Sequence, residues 1–352
     1  MPSPRYNVGV TSLHTASGVP VRCFYPAPDS KSVRRCKAAR RFRKGLAHYV
    51  SGYLHAFGAR HSTWKHDVLD LLVRAVSLLL PLNYANLPSC FVDCEPLSGS
   101  HPLLIFSHGL TGTGEENADL FARWASEGFV VASVHHMDGS SSRVQDAQGN
   151  SKWYQHHSLK TYDRNFRPRQ IQQRVDEVRQ SVEFLLNGDS VPQALQAAID
   201  SERVVVGGYS YGAATAALTA AKHPSEFVAC ILLDGWFHID VSKSAGVEFK
   251  FPAEAHERGI SVPSLFINSE QFKRYEKLRL ATAQLVKKCP DAGARVLPGT
   301  KHSNFIDVHS LCWWPLLWVL KRVGALGPAD VYATCQEIAD STSAFLRMHC
   351  RM

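Results

Sequence analysis

The chain has no apolar run approaching the roughly 20 residues that a membrane-spanning helix needs, although 45% of its 352 residues are hydrophobic. Its opening, Met1-Pro2-Ser3-Pro4-Arg5-Tyr6, lacks the apolar stretch of a secretory signal. It also lacks the glycine after methionine that N-myristoylation requires. A cytoplasmic location, at most peripheral on membranes, is therefore expected. The 9 cysteines are scattered. Cys90 and Cys94 lie close, but no second pair or histidine cluster completes a zinc site. Reduced thiols are expected, with no metal and no cofactor. Internal repeats, low-complexity tracts and a domain linker are all missing. Length and composition suit one large α/β domain over 1–352 with a substantial core.

Acidic residues are missing from one stretch. Lys31, Arg34, Arg35, Lys37, Arg40, Arg41, Arg43 and Lys44 form a basic run with no acid inside it, in a chain of net charge +8. The run reads as a solvated face or as a surface that attracts anionic lipid, at roughly 1 kcal/mol per basic residue. No nucleic-acid module accompanies it, so no nucleic-acid partner is expected. Residues 29–66 read as a basic, then aromatic insertion that forms a helix with a loop. The following segment, 67–82, reads as a helix. Asp67, Asp70, Arg74 and Ser77 fall on one narrow stripe, and nearly everything else there is Val or Leu. Such a helix is either deeply packed or lies at an interface.

What the chain does contain is Gly208-Tyr209-Ser210-Tyr211-Gly212, between Val204-Val205-Val206-Gly207 and an alanine-rich run. A β-branched run, G-x-S-x-G and then a helix former is the pattern of a nucleophile elbow. Its glycines leave room on a strained strand-to-helix turn, where side chains would clash. Short apolar runs at Leu103–Phe106, Phe129–Val134, Ala229–Leu233, Ser264–Ile267 and Arg295–Leu297 alternate with helical patterns such as Asn117–Glu127 and Ile171–Leu186. That alternation predicts a mostly parallel, doubly wound sheet with helices on both faces.

A serine hydroxyl needs a base, and the base needs an acid to fix its tautomer. In α/β-hydrolases the chain order is Ser, acid, His. His302 follows a strand and the turn Pro298-Gly299-Thr300, the expected place for the base, with His309 as runner-up. Asp234 and Glu270 each end a strand, and position alone does not choose between them. Oxyanion-hole amides are expected from Tyr211, just after the serine, and from Leu110 in the turn Ser107-His108-Gly109-Leu110. His108 lies upstream of the serine and is expected to hold that loop.

In chain order, several motifs together resemble the platelet-activating factor acetylhydrolases, the calcium-independent plasma and intracellular type II enzymes. They are Val8-Gly9-Val10-Thr11, Phe24-Tyr25-Pro26, Phe106-Ser107-His108-Gly109-Leu110, Gly128–Ala132 with His136 and Asp138, and Arg174 with Val178-Arg179-Gln180. The elbow, Leu233-Asp234-Gly235-Trp236, Phe266–Glu270 and His302-Ser303-Asn304-Phe305 complete the set. The resemblance implies an α/β-hydrolase fold and selects Asp234 as the acid, leaving Glu270 a structural or secondary role. It implies that 67–82 is an interfacial helix. It also implies hydrolysis of the sn-2 acetyl, short or oxidised acyl ester of glycerophospholipids. Trp236 and Phe305 are then candidate substrate-binding walls, phospholipid is the partner, and 67–82 with 31–44 is the membrane contact. A general carboxylesterase and an inactive lipid-binding protein are the alternatives. The family usually has Gln after the catalytic His and His-Ser-Phe at the elbow. Here Ser303 and Tyr209-Ser210-Tyr211 stand instead, and Tyr211 is expected to alter the acyl-pocket lining.

Overall fold

A computed structural model describes residues 5–57, 86–156, 163, 165–241, 247–307 and 314–351. The segment 67–82 and His309 lie outside the described residues. In chain order the first strands are β1 (Asn7–His14), β2 (Pro20–Ala27), β3 (Ala38–Arg40), β4 (Asn86–Val92), β5 (His101–Ser107) and β6 (Val130–Val134). Then come β7 (Arg143–Gln145), β8 (Ser151–Trp153), β9 (Ile199–Tyr209) and β10 (Ala229–Leu233). The last are β11 (His238–Val241), β12 (Val247–Lys250), β13 (Ser264–Ser269) and β14 (Ala292–Leu297). Among the described residues one ten-stranded sheet runs β14-β13-β10-β9-β5-β6-β2-β1-β4-β3, while β7-β8 and β11-β12 are separate hairpins. From β6 to β14 every pairing is parallel; β2 joins β6 antiparallel.

The wholly apolar strands follow from burial on both faces. Leu103 and Ile105 of β5 pack into one core layer, with Ile171, Val175 and Val178 of the helix Phe166–Asn187 and the alanines of the helix Tyr211–Lys222. Leu104 and Phe106 point the other way, onto Phe121 and Trp124 of the helix Ala118–Ser126 and Phe345 of Val331–His349. This alternation is the two-residue period of a strand. Ala213, Ala214, Ala216, Ala217 and Ala220 are fully buried. Their small side chains let the helix after the elbow lie close against the sheet, with Ala contributing the best helix propensity. No described helix is long and apolar enough to cross a membrane.

The basic run departs from the reading of one helix with a loop and one solvated face. It breaks into a short helix Lys31–Arg35, the edge strand β3 and a turn into the helix Leu46–Phe57. Lys31, Arg34, Arg35 and Lys37 are exposed, but Arg41 is buried. Arg41 meets Asp119 at 2.7 Å and Asp307 at 3.3 Å, and Asp307 also accepts the Asp119 N–H at 2.6 Å. Arg22 reaches the carbonyls of Arg40 and Arg41 and pairs with buried Glu115 at 3.3 Å. A charge run in sequence does not fix burial, because each cation can find its own acid from elsewhere in the chain.

Burial, with the Asp119 carboxylate second, holds the Asp307 carboxyl well above the usual range, and Arg41 pulls it back. Arg41→Met should therefore lose about 3–5 kcal/mol of stability near neutral pH, as for a broken buried pair. Without Arg41 the folded-state carboxyls rise further, so the folded state binds more protons than the unfolded one and stability falls as pH rises. The deficit, measured by urea unfolding, should shrink as pH is lowered toward about 4, close to the unfolded aspartate value.

Candidate active site

The serine of the G-x-S-x-G motif sits between β9 and the helix Tyr211–Lys222, at φ 58° and ψ −117°. A non-glycine residue reaches such a conformation only when its surroundings force it. The flanking glycines show what does so. A Cβ on Gly208 would lie 2.2 Å from the Gly212 carbonyl oxygen, and one on Gly212 would lie 1.9 Å from that of Ser107. Both contacts are with backbone, which cannot swing away. The Ser210 carbonyl accepts from Trp236 N–H at 3.0 Å, and its own N–H donates to Leu233 at 2.9 Å.

His302 and Asp234 converge on this serine from other strand ends. The His302 Nδ1–H donates to Asp234 Oδ2 at 2.6 Å, since a carboxylate can only accept. That fixes Nε2 as the unprotonated nitrogen, and it accepts the Ser210 hydroxyl at 2.9 Å. Asp234 is fully buried and also takes Ser269 N–H at 2.6 Å and Ser269 Oγ–H at 2.9 Å. His302 stacks against Tyr209, centroids 4.7 Å apart, and Phe272, centroids 4.5 Å apart. Its N–H donates to Gln271 at 2.9 Å, and its carbonyl accepts from Tyr209 Oη at 2.9 Å. Such an array can move a proton from the hydroxyl to the imidazole and hold the resulting cation.

The turn after β5 lies directly against the serine. A Cβ on Gly109 would come 3.3 Å from Ser210 Cβ. Tyr211 opens its helix, so its N–H has no acceptor within that helix. Leu110 is half-buried beside the same core layer. Below the turn is a buried polar network. Arg174 donates to the His108 carbonyl at 2.6 Å, His136 joins Ser107 Oγ at 2.8 Å and Glu177 at 2.7 Å, and Ser141 Oγ meets His108 Nε2 at 3.1 Å. Burial, then Arg174, drives the His108 and His136 imidazoles well below their usual range. Burial lifts the Glu177 carboxyl to about 7. On the other side Glu116 accepts Thr113 N–H at 2.6 Å, Thr113 Oγ–H at 2.9 Å and Tyr53 Oη–H.

Sequence reasoning named Ser210, His302, Asp234, Leu110 and Tyr211, and the structure gathers all five at the carboxyl ends of the parallel strands. Glu270 instead accepts Gly299 N–H at 2.7 Å and pairs with Arg274 at 3.1 Å, bracing the turn before His302. Two side-chain expectations are corrected. Tyr211 lines no open acyl pocket: it is fully buried, its ring parallel to Phe251 at 5.6 Å and its hydroxyl bonded to Arg167 O and Gln170 Oε1 at 3.3 Å. As the first helical residue it is directed at the helix Phe166–Asn187. Phe305 offers no wall either; it is 2% exposed and parallel to Tyr209 at 6.5 Å. Trp236 is half-buried against Tyr211 and Phe251, next in the chain to the turn that receives Ser210. Missed by sequence reasoning were Ser269, Tyr209, Phe272 and Gln271, which hold the acid and the imidazole. Only Ser269 left a signal, as a helix N-cap whose hydroxyl takes Phe272 N–H.

Comparisons with known proteins agree with this architecture. The sequence model of platelet-activating factor acetylhydrolase, isoform II, matches residues 3–352. The chain is similar to platelet-activating factor acetylhydrolases of Canis lupus familiaris (30% identical over 86% of this chain and 66% of the relative) and Cavia porcellus (27%, over 86% and 67%). It thus spans about two thirds of the length of these two relatives. The Gallus gallus protein of the same name is 24% identical over 97% of this chain and 81% of its own. Among solved structures, ferulic acid esterase from Streptomyces cinnamoneus superposes with a TM-score of 0.65 at 20% identity, covering 99% of this chain and 92% of that one, a likeness of fold. By its family match across nearly the whole sequence, the chain belongs to the platelet-activating factor acetylhydrolase family and is a carboxylic ester hydrolase of the α/β-hydrolase fold.

Proposed function

We propose that the chain hydrolyses the sn-2 acetyl ester, or another short or oxidised acyl ester, of glycerophospholipids. The observation that carries the proposal is the hydrogen-bonded line Ser210–His302–Asp234 on a strained elbow in a chain of this family. Ser210 Oγ attacks the acyl carbonyl while His302 Nε2 takes its proton. The tetrahedral oxyanion is held by the N–H groups of Leu110 and Tyr211. His302 then gives the proton to the departing lysolipid oxygen, leaving an acyl-serine. Water, deprotonated by His302, cleaves that ester and regenerates the hydroxyl. Asp234 fixes the imidazole tautomer and stabilises the imidazolium without itself being protonated. The lipid is met at a membrane surface from the cytoplasmic side, through the exposed cations Lys31, Arg34, Arg35 and Lys37 and through 67–82.

Ser210→Ala should abolish turnover above background and labelling by an organophosphate, with unfolding curves close to wild type. Asp234→Asn should keep the fold but lower kcat by about 10⁴, the scale seen when a triad acid is neutralised. A panel of acetyl, oxidised and long-chain sn-2 phosphatidylcholines, read by released fatty acid, separates substrates. Faster cleavage of the acetyl and oxidised lipids is expected. Equal rates on simple nitrophenyl esters with no cleavage of any phospholipid would point to a general carboxylesterase.

A further inference from the structure

A second polar site lies at the same end of the sheet, on the far side of the loop after β6. It is a small pocket lined by Arg43, Lys44, His48, His135 and Arg143, with Tyr49 at its side. Among the described residues no acidic side chain lines it. Arg43 and Lys44 crowd one another and His14: burial first, then the neighbouring cations, lower the His14 and Lys44 values. The nearest carboxylates offset the cations only in part, Glu115 attracting Lys44 and Asp146 attracting His14. Glu115 takes Arg43 N–H at 2.8 Å and pairs with Arg22, while Asp146 closes its own turn on Asn150 at 2.8 Å. Arg143 is held in place by Ser51 Oγ at 2.9 Å and by its stacking over Trp153 at 4.4 Å. The helix Leu46–Phe57 begins here with no acid in its first turn, so its partial positive charge adds to the same field.

The independent sign is His135. It is 6% exposed, and its Nε2 is buried without a hydrogen-bond partner among the described residues. A buried polar nitrogen left unpaired carries a desolvation penalty unless something fills the place. Gly114, at φ +83°, lets the ring in; a Cβ there would lie 3.1 Å from His135 Nε2. The enclosed volume is about 10 Å³, room for about one oxygen atom.

We propose that this pocket binds a phosphate group, one oxygen seated on His135 Nε2–H and the others meeting Arg43 and Lys44 at the rim. The site stands apart from the ester chemistry and does not depend on which ester is cleaved. Phosphate could come from a lipid headgroup diester or from free phosphate, and the two differ in charge and bulk.

The test uses full-length Ser210→Ala protein, so nothing turns over. Its histidine resonances are followed by NMR at fixed ionic strength, against inorganic phosphate and against glycerophosphocholine. A saturable shift of His135 is expected. Arg43→Gln/Lys44→Gln should weaken it by about tenfold or more, the scale of lost charge-assisted hydrogen bonds. Arg35→Gln/Lys37→Gln, which removes the same charge from exposed positions, should leave it unchanged. Should the first pair unfold early, Lys44→Gln alone serves, because Lys44 is exposed. A response to glycerophosphocholine supports a site for the headgroup diester; a response to inorganic phosphate alone supports a site for free phosphate. No saturable shift with either probe, or equal weakening by the Arg35/Lys37 pair, overturns the proposal.

Discussion

Much of the candidate active site hangs from the backbone of one residue. Ser210 is held at φ 58° and ψ −117°, a conformation that costs of order 1–3 kcal/mol when nothing compensates. What compensates is the packing of its two flanks. β9 is paired on both sides, to β5 and to β10, and cannot shift. The helix that follows is seated on the sheet by buried alanines. Gly208 and Gly212 allow these elements to meet without side chains between them. The serine is therefore the corner of two rigid bodies, which is why its hydroxyl stands clear of both. The same corner puts the Tyr211 amide beside it at no further cost.

A rigid corner needs its partners held as firmly, and this chain does so with buried polar contacts. Asp234 is fixed by both the amide and hydroxyl of Ser269. The turn after β5 is tied by Arg174, while Glu116 links Thr113 to Tyr53. The Asp307 amide donates to the Glu116 carbonyl at 2.7 Å, so the loop carrying His302 is joined to the loop beside the serine. Buried charges cost desolvation and add little net stability. Their gain lies in dipoles that need no reorganisation when charge develops on a reacting oxygen. The stacking of His302 on Tyr209 and Phe272 works alongside, orienting the ring by shape.

The fold and the meeting of Ser210 with His302 were legible in the sequence because each rests on a local pattern. Apolar strands report burial on two faces, G-x-S-x-G reports a steric limit on a turn, and chain order places the histidine. Asp234 was not separable from Glu270 by position, and only the wider resemblance chose it. The structure shows why position failed: the two end neighbouring strands β10 and β13, and their partners separate them, Ser269 holding Asp234 at the imidazole while Gly299 and Arg274 hold Glu270 at the turn. Tyr211 and Phe305 were misread for a related reason. Nearness to Ser210 or His302 in sequence says nothing of direction, and both rings point into the core.

The basic run shows the same limit at larger scale. Edge strand β3 buries Ala39 and exposes its two neighbours, so adjacent residues already face opposite ways. Arg41, one step past the strand, turns inward to Asp119 and Asp307, while Arg43 and Lys44 turn toward the loop after β6. Cations that look equivalent in sequence thus divide into an internal clamp and a cluster that acids offset only in part. The difference lies in where acids sit on distant elements: Asp119 and Asp307 meet Arg41, whereas Glu115 is shared among Arg22, the Arg43 amide and the field at Lys44. A partly offset cationic cluster beside a buried imidazole nitrogen, unpartnered among the described residues, sets two unfavourable terms at the pocket, like-charge repulsion and desolvation. An anion relieves both terms at once, and a neutral ligand would relieve only one.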